Sequence, residues 1–170
     1  MQIVKQFSFD AAHQLVGHCG KCANLHGHTY KLEVAVEGPL QTEGSSAGMV
    51  IDFADLKSVA GELVDKLDHA TLIKGDEPIF KTLDTKAVIF GFRTTAEYMA
   101  TYIYWYLKRE LSGIEISFVR LWETPTGYAE FSSHDFYGMS PKQFSDMNAL
   151  FGKVKFIDGI KKSRGAYNGK

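Results

Sequence analysis

The pattern of apolar residues predicts an α+β fold in which two helices cover one face of a four-stranded antiparallel sheet. Two pairs of segments alternate apolar and polar residues, as half-buried strands do. Two other segments repeat apolar residues at three- and four-residue steps, as amphipathic helices do. With 170 residues, 45% of them hydrophobic, the chain has the size of one ordinary domain.

The first pair of strands lies near the start of the chain. In residues 2–13, Phe7, Phe9 and His13 share one face, and in residues 28–36 the apolar residues again occupy alternate positions. We expect these two segments to be antiparallel neighbours. The second pair covers residues 115–123 and 127–137, and the turn between them, which contains Pro125, predicts a hairpin.

Helical spacing predicts one helix over residues 53–67, with Asp52 as its N-cap, and a second from about residue 95 to 111. Thr94 and Glu97 have the spacing of a capping box for the second helix. We expect residues 73–93 to be mostly irregular, with one short strand within 87–92. Ser140 and Pro141 predict the start of a short helix that ends near residue 152.

Composition excludes several classes of protein. The net charge of −1 gives no global basic field for nucleic acid or an anionic membrane. No apolar run approaches the roughly 20 residues of a membrane span, and the polar first residues do not resemble a signal peptide. Two cysteines are too few for a disulfide scaffold, so we expect a cytoplasmic protein. The basic tail, residues 153–170, leaves RNA binding open as a weaker possibility.

Three histidines form the main candidate site. His26 and His28 project from one face of their strand, and antiparallel pairing brings His13 to the same place. Three neutral imidazoles with a fourth position free are the arrangement of a catalytic zinc. The alternatives are isolated polar histidines, or a closed structural zinc site in which Cys19 and Cys22 join His26 and His28 and leave His13 unused.

Two further groups are candidates for proton transfer. A thiol close to a metal has a lowered pKa and can act as a base or a nucleophile, which fits Cys22. Asp68 and His69 end the first predicted helix and form a possible acid–base pair. Their alternative role is structural, since histidine is favoured at helix C-termini.

Six motifs in one order resemble the 6-pyruvoyl-tetrahydropterin synthase superfamily. They are F-D-A-A-H at 9–13, C-x-x-x-H-G-H at 22–28, G-M-V-I-D-F at 48–53, L-D-H at 67–69, T-x-E at 95–97 and W-E-T at 122–124. The cysteine four residues before H-G-H is similar to the bacterial branch, the 6-carboxy-5,6,7,8-tetrahydropterin synthases of queuosine and 7-deazapurine biosynthesis. The resemblance covers residues 1–137, which we expect to be the catalytic domain. Residues 138–170 match no motif, and we expect a C-terminal extension that is partly helical or flexible.

The resemblance implies a role for each matching residue. It implies that the zinc ligands are His13, His26 and His28, that Cys22 is the general base, that Asp68 and His69 form the acid–base relay, and that Glu123 anchors the pterin. Thr95 and Glu97 match the segment that lines the pterin pocket, although Glu97 is also explained by helix capping. Lys21 and Arg93 are candidates for contacts with a triphosphate.

The implied reaction converts 7,8-dihydroneopterin triphosphate to 6-carboxy-5,6,7,8-tetrahydropterin, with release of triphosphate and acetaldehyde and with no redox cofactor. The alternative within the superfamily is a 6-pyruvoyl-tetrahydropterin synthase, and the alternative from another class is a non-enzymatic zinc-binding module. The implied fold is the tunnelling fold, whose subunits join sheet edges into barrels. The resemblance therefore implies a homohexamer built as a dimer of trimers, with sites at subunit borders.

Overall fold

One mixed sheet forms the framework of the protein. The computed structural model describes residues 1–75, 77, 79 and 85–158, and within them seven strands form a sheet of order β6-β5-β2-β1-β3-β4-β7. The strands are β1 (Gln2–His13), β2 (His26–Glu37), β3 (Ala70–Lys74), β4 (Ala87–Phe90), β5 (Glu115–Thr124), β6 (Gly127–Ser132) and β7 (Lys155–Ile157). The helices are α1 (Phe53–Leu67), α2 (Ala96–Glu110), α3 (Ser133–Tyr137) and α4 (Pro141–Phe151).

The four predicted strands are present and adjacent. β1 pairs with β2, β2 with β5, and β5 with β6, and all three pairings are antiparallel. The predicted hairpin at residues 124–127 joins β5 to β6, with Thr124 opposite Gly127. β6 ends earlier than expected because Ser132 and Asp135 form a capping box that starts α3.

The predicted four-stranded antiparallel sheet is too small, because the observed sheet has three further strands and two parallel pairings. β3 pairs in parallel with β1, β4 pairs in parallel with β3, and β7 pairs antiparallel with β4. The strand expected within residues 87–92 is β4, but no strand is predicted for β3, whose last two residues fall in the segment 73–93 that we expect to be mostly irregular. Four of the five β3 residues are buried, so the segment lacks the alternation that reveals half-buried strands.

The helices begin and end largely where their spacing predicts. The Asp52 carboxylate caps α1 by accepting a hydrogen bond from the Ala54 N–H at 2.7 Å. The Thr94–Glu97 capping box is a wrong prediction, because Thr95 is the N-cap of α2 and Thr94 is fully buried. Helix α4 has the predicted N-cap, Ser140, and ends at residue 151.

A single hydrophobic core lies between the sheet and the helices. Both long helices pack on the sheet face that carries Phe9, Leu32 and Leu121. Met147 and Phe151 of α4 belong to the same core. Within the described residues no helix is both long enough and apolar enough to span a membrane. Most of the predicted basic tail, residues 159–170, lies outside the described residues.

Candidate active site

The pairing of β1 with β2 builds the histidine cluster. His13 lies opposite His26, and His28 lies opposite Ala11, so the three imidazoles share the face that the helices cover. One potential ligand atom from each ring lies within 4.8 Å of the others. Among the described residues, this group of possible metal ligands contains His13, His26 and His28 and neither cysteine.

Two hydrogen bonds indicate which ring nitrogen of His13 and of His26 carries the proton. Nδ1 of His13 lies 2.9 Å from the Thr94 carbonyl oxygen, and Nδ1 of His26 lies 2.8 Å from the Asn24 carbonyl oxygen. A carbonyl oxygen only accepts, so each neutral ring carries its proton on Nδ1 and has a lone pair on Nε2. These carbonyls are the partners that metal-bound histidines commonly have.

The two Nε2 atoms so defined lie 3.1 Å apart and face each other. With both protons on Nδ1, no proton lies between the two lone pairs, and a cation is the group that relieves their repulsion. The Nε2 atom of His28 is buried and has no hydrogen-bond partner. This set of three nitrogen donors fits a zinc ion.

Burial favours the neutral form of two of these rings, His13 and His28. Desolvation lowers the pKa of His13 and of His28, and this effect exceeds the opposing influence of the Glu123 carboxylate. A neutral imidazole is the form that binds a metal, because the protonated ring has no free lone pair.

Glu123 brings a negative charge to the cluster. It lies near the end of β5 and shares the helix-covered face with Leu121. Its Oε1 atom lies 3.5 Å from Nε2 of His13 and 3.9 Å from Nε2 of His28. The residue predicted to anchor a pterin is therefore beside the histidines.

Tyr30 is a member of the site that the sequence analysis treated only as an apolar residue. Its ring is 1% exposed, stacks on Phe9 at 5.0 Å and meets the His28 ring edge-on at 5.5 Å. The buried hydroxyl has no hydrogen-bond partner of acceptable geometry, and burial together with the nearby Glu123 charge raises its pKa. The signal that could have identified it is its position two residues after His28, on the same face.

Cys22 lies on a single 3-10 turn (Lys21–Ala23) in the loop between β1 and β2. Its carbonyl oxygen accepts a hydrogen bond from the Leu15 N–H at 2.8 Å, which fixes the turn against the end of β1. The Cys22 side chain is half-buried. Cys19 is exposed, and neither cysteine forms a disulfide.

Asp68 and His69 form an ordered pair. Asp68 Oδ2 lies 2.8 Å from Nδ1 of His69, and Oδ1 accepts a hydrogen bond from the Asp10 N–H at 2.8 Å. That backbone hydrogen bond, followed by the bond from His69, lowers the pKa of the Asp68 carboxyl group. The His69 side chain is 77% exposed, so its Nε2 is accessible from outside the folded chain.

The pair borders a cleft beside β1 and β2. His69 lines this cleft together with Asp10 and Thr29, and His28 also belongs to the lining. Thr29 donates a hydrogen bond to the Asp10 carboxylate at 2.5 Å, which places both side chains on the sheet face opposite His28. The structure therefore brings the three histidines and Glu123 together and places the acid–base pair at a cleft that His28 also borders.

The remaining predicted residues are near the start of α2. The Thr95 hydroxyl accepts a hydrogen bond from the Tyr98 N–H at 3.5 Å, and Glu97 is exposed. Arg93 donates from Nη2 to the Val16 carbonyl oxygen at 3.1 Å, which ties this region to the loop that carries Cys22. Roles for Thr95 and Glu97 in pterin binding stay predictions.

Comparison with known proteins gives the same family that the motifs indicate. The model of the family described as 6-pyruvoyl tetrahydropterin synthase matches residues 2–134. The chain is 45% identical over 138 residues to a 6-carboxy-5,6,7,8-tetrahydropterin synthase of Haemophilus influenzae, covering 76% of this chain and 97% of that relative. It is 31% identical over 159 residues to the enzyme of the same name from Aquifex aeolicus, covering 76% of this chain and 96% of that relative.

Solved structures agree on the fold. An uncharacterized protein of Wolinella succinogenes superposes with a TM-score of 0.69 at 25% identity, covering 78% of this chain and 98% of that one. The 6-pyruvoyl tetrahydropterin synthase of Caenorhabditis elegans superposes with a TM-score of 0.61 at 28% identity, covering 78% and 95%. The expectation of an enzyme is thereby confirmed, and the chain belongs to the 6-pyruvoyl tetrahydropterin synthase family.

Proposed function

We propose that the protein is a zinc-dependent lyase that converts 7,8-dihydroneopterin triphosphate and one water molecule to 6-carboxy-5,6,7,8-tetrahydropterin, with release of triphosphate and acetaldehyde. The observation that carries the proposal is the 3.1 Å approach of Nε2 of His13 to Nε2 of His26, in rings whose Nδ1 atoms each lie beside a backbone carbonyl oxygen. The substrate and product come from the similarity to the Haemophilus influenzae and Aquifex aeolicus synthases.

His13, His26 and His28 are the residues that would hold the zinc. When bound, the ion supplies Lewis-acid polarisation of substrate oxygens and lowers the free energy of a developing negative charge. The hydrogen bonds to the Thr94 and Asn24 carbonyls fix the orientation of two of the rings.

The other residues bind the substrate and move protons. Cys22, as thiolate, would remove the carbon-bound proton of the substrate side chain. Glu123 would accept hydrogen bonds from the pterin 2-amino group and ring N–H, which a carboxylate does with two oxygens. Asp68 holds Nδ1–H of His69, so that His69 exchanges protons through Nε2. Arg93 and Lys21 stay candidates for the triphosphate.

The proposal includes the hexamer that the resemblance implies, with sites at subunit borders. Its support is the exposure of the His69 side chain, which is 77% exposed beside a cleft. In an assembly, the relay of one subunit would serve the metal site of a neighbour. The catalytic unit proposed for residues 1–137, the cytoplasmic location and the place in queuosine biosynthesis follow from the sequence analysis.

Product analysis tests the reaction. The zinc-loaded protein is incubated with 7,8-dihydroneopterin triphosphate, and acetaldehyde and the pterin product are measured. Formation of acetaldehyde with the carboxylated pterin supports the proposal. A three-carbon pyruvoyl product without acetaldehyde would instead identify a 6-pyruvoyl-tetrahydropterin synthase.

A pair of cysteine variants separates the lyase from a structural zinc module. We expect Cys22→Ala to keep its zinc and its fold and to lose turnover, because its thiol is the proposed base. Cys19→Ala is the matched control, since Cys19 is exposed and has no assigned role, and we expect it to retain turnover. Loss of zinc and unfolding in Cys22→Ala would favour the structural module.

A further inference from the structure

A short loop before α2 contacts His13 and also the loop that carries Cys22. This loop, residues 91–95, is named here the α2 entry loop. Through its Thr94 carbonyl oxygen it fixes Nδ1 of His13 at 2.9 Å, and Thr94 itself is fully buried. Through Arg93 it holds the Val16 carbonyl oxygen, at the start of the loop that carries Cys22. The position of the α2 entry loop therefore determines the orientation of a proposed zinc ligand.

Helix α4 packs directly on the α2 entry loop. The Phe151 ring is 3% exposed and meets the Phe92 ring edge-on, with centroids 5.1 Å apart. At Gly91, a Cβ atom would lie 3.3 Å from Leu150 Cδ1 and 3.4 Å from the Leu150 carbonyl oxygen. Glycine at this position thus permits an approach of α4 that a larger residue would crowd.

Helix α4 is itself anchored to the folded domain. Trp105 of α2 donates a hydrogen bond from Nε1 to Asn148 Oδ1 at 2.6 Å. Phe151 also packs on the rings of Tyr102 and Trp105, each with centroids 5.7 Å apart. The family match ends at residue 134, so α4 lies in a part of the chain to which the family similarity assigns no role.

We propose that α4 is a positioning element of the metal site, in which Leu150 and Phe151 hold the α2 entry loop where Thr94 orients His13. This inference rests on the proposed function, because it assumes that His13 binds a metal. Phe151 is a positioning residue and not a catalytic one, since it is separated from His13 by Phe92 and Thr94.

Removal of the Phe151 ring would leave a cavity beneath Phe92. The neighbouring loop relaxes into such a space, and Thr94 then holds His13 less tightly. Loss of a direct hydrogen-bond partner of a metal ligand costs roughly 10–100-fold in affinity. Phe151 acts one step further away, so we expect the affinity to fall about three- to tenfold.

Cobalt(II) titration of the full chain tests the proposal. Visible absorption reports the coordination of Co2+, and competition with a chelator gives its Kd. We expect Phe151→Ala to raise the Kd and change the absorption band, and Phe151→Leu, which restores apolar volume, to recover most of both. Phe131→Ala is the matched control, because Phe131 of β6 packs on Tyr104 of α2 with centroids 5.1 Å apart and, among the described residues, makes no ring contact with α4 or the α2 entry loop.

The outcomes separate the two proposals. Equal Kd values and spectra for Phe151→Ala and the unmodified protein would overturn the role of α4, as would an equal loss in Phe131→Ala. If Phe151→Ala does not fold, Leu150→Ala decides, because it removes the side chain that approaches Gly91: a raised Kd is expected, and an unchanged Kd would overturn the role. Binding that is unaffected by His13→Ala would overturn the metal site itself, and the role of α4 with it.

Discussion

Zinc should raise the thermal stability of the protein through the histidine cluster, and the geometry of the cluster allows the size of the effect to be worked out. In a tetrahedral site with Zn–N distances of about 2.0–2.1 Å, two ligand nitrogens lie roughly 3.3–3.4 Å apart. The Nε2 atoms of His13 and His26 are already 3.1 Å apart, and the third ligand atom is within 4.8 Å of both. The site is thus largely preformed, and binding requires only small side-chain movements.

The expected shift follows from mass action. Free zinc at a hundred times its Kd stabilises the folded state by about 2.7 kcal/mol. For a domain of this size, each kcal/mol raises Tm by roughly 2–4 °C, so the shift should be about 5–10 °C. In His26→Ala, a loss of affinity of about a hundredfold would reduce the stabilisation to about 0.4 kcal/mol at the same zinc concentration.

Thermal melts followed by circular dichroism, with chelator or with buffered zinc, measure both shifts. His134→Ala is the control, because His134 is exposed on α3 and lies outside the cluster, and it should keep the full zinc response. A full response in His26→Ala would show that zinc binds elsewhere and would refute the reasoning. Loss of the response in Cys22→Ala, with the response retained in His13→Ala, would refute it in favour of the cysteine-containing site.

Three further variants test other parts of the structure. Glu123→Gln should raise the KM for the pterin roughly 10–100-fold, since a hydrogen bond to a charged group contributes about 1.5–3 kcal/mol, and steady-state kinetics measures it; an unchanged KM would exclude Glu123 as the anchor. The lowered pKa of Asp68 means that its carboxylate contributes stability that is fully present above the usual value of 3.8 and is lost as the pH falls through the lowered pKa. Chemical unfolding should therefore find Asp68→Asn less stable at pH 7, with the difference shrinking below about pH 4, and a difference independent of pH would contradict this. Asn148→Ala leaves the Trp105 indole N–H without its partner, so it should lower the free energy of unfolding by about 1–3 kcal/mol, and Trp105→Phe added to it should recover part of that loss.

Alternation along the strands made much of the fold and of the metal site predictable. The face shared by His26 and His28 is the one observed, and the pairing of β1 with β2 places His13 opposite His26. The cap at Asp52 also follows from local chemistry, because its carboxylate satisfies an N–H of the first turn of α1.

The additional strands depend on contacts between distant segments. β3 lies inside the sheet with β1 and β4 on its two edges, and four of its five residues are buried, so its residues show no alternation of their own. The three residues of β7 are too few to carry a pattern, and they become a strand only by pairing with β4. Thr94 illustrates the same limit, since its spacing to Glu97 suits a cap while tertiary burial beside His13 determines its position.

The metal cluster and the acid–base pair differ most in how far the chain covers them. His13 is 1% exposed, whereas the His69 side chain is 77% exposed at a cleft that His28 also lines. A proton relay acts only within hydrogen-bond reach of the reacting group and works best where water is excluded. Under the proposed function, the exposed ring of His69 therefore has to be covered by the substrate or by a neighbouring subunit. The exposure of His69 is thus a reason, separate from the resemblance, to expect sites at subunit borders.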